Sequence, residues 1–191
     1  INLDRRYKKQ IRLVNVDGTR NVCEAALKAG IKKLIHFSSV DAFYRFPIEE
    51  PLLESRKLID DPNSVPYDLS KADGQKIVLD FCKKGLDASI IHPTSIVGPN
   101  DFKPGLPMQE MINLANGKRK LLPNWGYNFV DARDLCLTAI SAVELGKTGQ
   151  NYIVGGEYHL YSYIAELMEQ QLGRTVLLST IPDFVSYLGL P

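Results

Sequence analysis

The strongest constraint on this 191-residue chain is an alternation: two short apolar runs, Leu34 to Phe37 and Asp87 to His92, flank a stretch of helical period. Unbroken runs of this length, bounded by polar residues, read as strands buried on both faces. Between them, Ile77, Val78, Phe81 and Cys82 recur at helical spacing within Tyr67 to Lys84, and Gly85 stops the segment. Ahead of the first run, Leu13, Val16, Val22, Cys23, Ala26 and Leu27 give a helix from about Asp4 to Ala29, closed by Gly30. Strand, helix and strand in that order predict parallel neighbours joined by a right-handed crossover, with helices on the sheet faces. The expected class is α/β: the later part of a doubly wound parallel sheet, because the pattern opens on a helix where such a sheet needs further strands.

Pro47, Pro51, Pro62 and Pro66 make the stretch after Ser39 a long surface loop. Beyond Pro93 the texture changes. Loops around Gly98 and Gly105 flank a helix from about Pro107 to Asn116, followed by short strands near Leu121 and from Tyr127 to Val130. A helix from Asp131 to Leu145 has Asp131 and Asp134 at its positive end, and a strand at Asn151 to Val154, a helix at Tyr161 to Leu172 and a strand at Thr175 to Leu178 complete the pattern. The expected organisation is residues 1–98 as the carboxyl-terminal part of a main domain and 99–191 as mainly a smaller α/β lobe, with interleaving into the main sheet left open.

With 23 Lys plus Arg against 22 Asp plus Glu, a net charge of +1 offers no broad field for nucleic acid or an anionic membrane, so neither is an expected partner. Apolar stretches such as Leu135 to Val143 fall short of the roughly 20 residues of a membrane helix. Cys23, Cys82 and Cys136 lie far apart in apolar segments and read as buried free thiols, which favours a reducing, cytoplasmic location. His36, His92 and His159 lack the spacing of a metal site, so no metal is expected. The chain begins at Ile1 rather than Met, and the start of the protein is expected upstream.

Tyr67 and Lys71 stand four residues apart at the start of a helix, which puts phenol and ammonium on one face. A phenol titrates near pH 10, and a neighbouring cation favours its phenolate and makes it usable for proton transfer. Ser39 closes the preceding strand at its carboxyl end, where open α/β sheets bind ligands. Chance readily produces one such Tyr–Lys pair in a chain with nine tyrosines, and Ser38 and Ser39 can simply turn the chain. No Gly-x-Gly-x-x-Gly spacing follows any expected strand, so the usual pyrophosphate cradle is absent from these residues.

Four collinear motifs then carry a resemblance: Val14 to Val22, Leu34 to Ser39, Tyr67-x-x-x-Lys71, and Pro93 to Pro99. In order and spacing they resemble extended short-chain dehydrogenase/reductases, in the NAD-dependent epimerase/dehydratase group and especially its dihydroflavonol-reductase-like branch. Asn128 to Asp134 looks like that family's entry into a helix of the substrate lobe. The resemblance implies a Rossmann-like sheet followed by most of a substrate lobe, with NAD or NADP as cofactor and the glycine-rich turn upstream of Ile1. By position it makes Ser39 the hydrogen-bond donor to the reacting oxygen, Tyr67 the acid/base, and Lys71 the group that lowers the Tyr pKa and holds the nicotinamide ribose. Asn15 is implied on the cofactor side, beside the equal reading of a helix-surface amide bonded to backbone, and Pro93 and Thr94 are implied beside the nicotinamide.

The implied activity is hydride transfer between nicotinamide and a small carbonyl or alcohol substrate. A nucleotide-sugar epimerase and a non-catalytic dinucleotide-binding regulatory protein remain as alternatives, and a homodimer stays open. Sugar dehydration is disfavoured, because Val40 stands directly after Ser39 where the family's dehydratases place an acid. His92 is either cofactor-facing or a satisfied strand-end histidine. Lys118-Arg119-Lys120 reads as a solvated loop. Trp125 and Tyr127 border a cleft or pack in a core, and Met108, Met111 and Leu114 read as core.

Overall fold

The computed structural model describes residues 5–119, 121–177 and 179–181. Asp4, Lys120 and Leu178, each part of an expected segment, lie outside them. The chain divides into two compact units, one of residues 1–94 and 133–154, the other of 95–132 and 155–191.

The first unit opens on one continuous helical run. Arg5–Tyr7 is a 3-10 turn, α1 is Lys8–Arg12, Leu13–Asp17 forms a π-helical turn, and α2 is Gly18–Ala29. Gly30 ends it in the left-handed region at φ 63°, a conformation that glycine adopts without steric cost. Strand β1 (Leu34–Phe37) follows, then the loop, then α3 (Pro66–Cys82), β2 (Ala88–Pro93), α5 (Ala132–Leu145, in this unit from Arg133 onward) and β6 (Asn151–Val154). Pro66 starts α3 because its missing N–H is one that a first helical turn leaves unbonded anyway.

The three strands form a parallel sheet in the order β1-β2-β6, with Leu34 opposite Ala88 and Ile90 opposite Asn151. All six residues of the middle strand are buried, as the apolar run required. Val16, Cys23 and Ala26 of the first helical run meet Ile77, Val78 and Phe81 of α3 and Leu86, Ala88 and Ile90 in one core. Lys33 pins the sheet's amino end, its ammonium 2.8 Å from Asp87 and donating to the Gly146 carbonyl at 2.6 Å.

The helices approach closely at Gly74 of α3. A Cβ there would stand 2.8 Å from the backbone oxygen of Asn15 in the π turn. Gly74→Val is therefore expected to destabilise the fold by about 1–3 kcal/mol, the range of overpacked sites. Denaturant unfolding measures it, and a variant as stable as the parent would show that the helices separate freely.

In the second unit β3 (Ser95–Val97) pairs parallel with β5 (Gly126–Asp131), which pairs antiparallel with β7 (Glu157–Leu160). A second pair is formed by β4 (Leu121–Pro123) and β8 (Ser179–Ile181). Helices α4 (Leu106–Ala115) and α6 (Tyr161–Leu172) contribute Met111, Leu114, Tyr161 and Ala165 to a core completed by Leu122, Phe129 and Val176.

Several expectations need correction. No strand occupies 175–177: the Val176 and Leu177 amides donate to the Glu169 side chain at 2.9 and 3.2 Å, which takes them out of any ladder, and the strand falls on Ser179–Ile181. Strands β3 and β7 carried no visible signal, one being three residues long and the other polar. His159 lies in β7. All three cysteines are free, but Cys136 is exposed, because α5 turns Cys136, Leu137 and Ile140 outward. Among the described residues no helix is long and apolar enough to cross a membrane.

Candidate active site

The site is assembled where β1 ends. The Ser38 N–H extends the ladder to the Ile91 carbonyl at 2.8 Å, and Ser39 then leaves the sheet with extended backbone and caps a 3-10 turn at Val40–Ala42. Its Oγ accepts from the Asp41 N–H at 3.2 Å and donates to the Asp41 carboxylate at 3.3 Å. Ser39 thus does turn the chain, as its plainer reading held, and the same cap fixes where its hydroxyl stands.

Tyr67 is the second residue of α3, and its phenol stands within reach of the Ser39 hydroxyl. Lys71, one helical turn on, has Nζ 5.8 Å from the Tyr67 ring centroid and donates to the Phe37 carbonyl at 3.2 Å. The structure therefore brings Ser39, Tyr67 and Lys71 together at one strand end.

Their electrostatics differ from what the spacing predicts. Burial pushes the Tyr67 phenol above its usual range; the Ser39 hydrogen bond pulls it back in part, and the Asp41 and Asp68 carboxylates push it further up. The shift is upward, against the lowering expected from Lys71, whose ammonium donates to the Phe37 carbonyl and is itself held below its usual range by burial. Asp68 is 5% exposed and its carboxyl is pushed up to about 6 by burial first and Asp41 second, against the pull of Arg45 at 3.1 Å. Arg45 also holds Asp41 at 3.0 Å.

Asn15, Pro93, Thr94 and His36 belong to the same unit as this point. The Asn15 amide donates to Ser70 Oγ at 2.9 Å, and Ser70 donates to the Tyr67 carbonyl at 2.7 Å, so Asn15 ties the π turn to α3 through a side chain rather than through nearby backbone. Pro93 ends β2 and is buried; Thr94 follows, its N–H donating to the Val154 carbonyl at 3.0 Å. Thr94 Oγ1 is buried with no hydrogen-bond partner among the described residues. His36 in β1 is pulled down to about 4 by burial, with Lys71 and His92 adding to the effect. In the other unit Trp125 is 50% exposed, and Tyr127 packs its ring against Phe129 and Tyr161.

Sequence reasoning missed a buried polar web behind the site. Gln75 donates to Asn151 Oδ1 at 2.8 Å and accepts from Ser38 Oγ at 3.4 Å, and His92 reaches Ser39 and Asn151. Gln75 had a signal, since the steps of four from Tyr67 through Lys71 continue to it. Asn151, on a strand far along the chain, had none.

The profile of the NAD dependent epimerase/dehydratase family matches residues 4–155. The chain is 30% identical over 161 residues to sterol demethylase protein B of Methylococcus capsulatus, covering 84% of this chain and 49% of that protein. It is 31% identical over 159 residues to a Synechocystis sp. protein named for dihydroflavonol 4-reductase, covering 75% and 43%. Among solved structures, gox2253 superposes with a TM-score of 0.84 at 31% identity, covering 95% of this chain and 55% of that one. The dTDP-glucose 4,6-dehydratase of Bacillus anthracis in complex with NAD gives 0.76 at 21% identity over 90% and 56%, a likeness of fold alone. The chain spans about half the length of these relatives. A profile match across most of the chain, on a parallel sheet whose first strand ends beside a Tyr-x-x-x-Lys helix, makes this chain a member of the NAD-dependent epimerase/dehydratase family.

Proposed function

We propose that this chain carries the proton-transfer residues of an NAD(P)-dependent oxidoreductase acting on a small carbonyl or alcohol. The observation that carries the reading is the meeting of the Tyr67 phenol and the Ser39 hydroxyl, close enough to pull the phenol's pKa down, at the carboxyl end of β1, with Lys71 one turn away on the same helix face. In the reducing direction Tyr67 gives its proton to the substrate oxygen, and Ser39, fixed by its cap to Asp41, orients that oxygen. Burial keeps the phenol protonated, which suits an acid waiting for a carbonyl.

The buried and unpartnered Thr94 Oγ1 fits a polar group brought in by a ligand. Tyr67, Lys71, Pro93 and Thr94 would hold the nicotinamide end of the cofactor, with Asn15, whose amide also donates to Ser70, on the cofactor side. When bound, NAD or NADP supplies or accepts the hydride. Lys71 keeps a positive charge beside the phenol, and release from the Phe37 carbonyl would free it for a hydroxyl of the ribose.

The test is oxidation of NADH and NADPH by the purified protein against a panel of small carbonyl compounds and nucleotide sugars. Net cofactor oxidation with a carbonyl compound is expected. Interconversion of nucleotide sugars without net oxidation would replace this reading with epimerisation, and cofactor binding without any turnover would replace it with a regulatory role.

A further inference from the structure

The ring of His92 lies fully buried in the middle strand, its centroid 4.5 Å from that of Phe43. Both of its nitrogens face acceptors. Nδ1 is 3.0 Å from the Ser39 backbone oxygen and Nε2 is 3.2 Å from Asn151 Oδ1. The Asn151 amide nitrogen donates to the Glu54 carbonyl at 3.2 Å, so its oxygen is the atom turned towards the ring, where it also accepts from Gln75. A backbone carbonyl can only accept, which makes Nδ1–H the donor at the shorter contact. The groups whose charge the ring feels are Lys71 on α3, Glu54 on the loop and His36 on β1.

We propose that His92 is a positioning residue for the Ser39–Tyr67 pair, holding the Ser39 carbonyl to the central strand while Gln75 holds the adjacent Ser38 from the helix that carries Tyr67 and Lys71. The proposal rests on the oxidoreductase reading above. Ser39 stands one residue past the last ladder bond of β1. Its carbonyl also accepts from the Ala42 N–H at 3.1 Å, but that bond lies within the turn and moves with it. His92 belongs to a buried strand and does not. Gln75 holds the adjacent Ser38 from α3 and is itself fixed by donating to Asn151. The distance between the strand-end hydroxyl and the phenol is thereby set by a web in which neither reacting side chain takes part.

The two ring nitrogens can be separated by substitution. An Asn side chain places its amide nitrogen near the Nδ1 position, a Gln near Nε2, and Phe supplies neither. His92→Asn is expected to keep kcat within about 3-fold of the parent, and His92→Gln and His92→Phe to lose about 10-fold or more with cofactor KM held, since misplacement of reacting groups by 1 Å costs up to about 100-fold. The Tyr67 phenol, followed by NMR of protein carrying 13C-labelled tyrosine, is expected to titrate at higher pH in the Gln and Phe variants, because the Ser39 hydrogen bond is what lowers it. Equal loss of kcat in the Asn and Gln variants, or one Tyr67 titration shared by all four proteins, would overturn the proposal. A parent protein that turns over nothing would sink the oxidoreductase reading, while the Tyr67 titration would still decide the role of His92.

Discussion

Tyr67→Phe is expected to lower kcat by about 10²- to 10⁴-fold, the usual worth of a positioned acid/base, while the fold and cofactor affinity stay as in the parent. The change removes one hydroxyl from a half-buried ring and leaves its packing in place. Ser39 Oγ loses the phenol as a neighbour but keeps its bonds to the Asp41 N–H at 3.2 Å and carboxylate at 3.3 Å, so no buried group is stranded. The pairing of effects matters more than the loss itself. If the enzyme works through the phenol, kcat collapses with an unchanged unfolding midpoint and an unchanged cofactor titration. A variant that retains parental kcat would refute the assignment, and one that loses turnover only in proportion to lost stability would reduce Tyr67 to a packing residue.

The second large effect is a dependence of stability on pH that traces to Asp68. Its carboxyl has an ordinary value of 3.8 and is pushed up to about 6 in the fold, so the folded chain holds this proton more tightly than the unfolded one. The stability contributed by the bound proton is fully present below about pH 4 and is lost as pH rises through about 6. Its size is about 3 kcal/mol by the conversion of pKa shift to free energy. Arg45 does not cancel this, because its side chain is 61% exposed and its attraction is screened, whereas the carboxylate is buried and faces Asp41. Denaturant unfolding at pH 5 and pH 8 should show the parent losing stability across this interval, beyond any slope from other groups. Asp68→Asn should flatten that part of the curve. Identical pH dependence in the two proteins would mean that the carboxylate finds compensation as it ionises.

The sequence was legible wherever one local rule decided the outcome. β2 was readable because a strand buried on both faces must be apolar throughout, and the helices because Ile77, Val78 and Phe81 repeat at the helical period. Thr175 to Leu178 misled because its apolar character reflects Val176 entering a core, while its backbone donors go to Glu169, a side chain that periodicity does not see. Cys136 misled for a similar reason: an apolar neighbourhood in the chain does not say which way a helix face turns.

What the sequence by itself determined is the α/β class, the order of the helices and of the three strands of the main parallel sheet, and the placing of Tyr67 and Lys71 on one helix face, because each follows from spacing along a single element. Tertiary structure alone decided the electrostatics: that burial pushes the Tyr67 phenol up, that the Asp68 carboxyl is pushed up to about 6, and that His92 and Asn151 meet behind Ser39. The physical reason is range. Periodicity and capping act within a few residues, whereas desolvation and a hydrogen bond between residues 39 and 92 depend on which segments the folded sheet brings side by side.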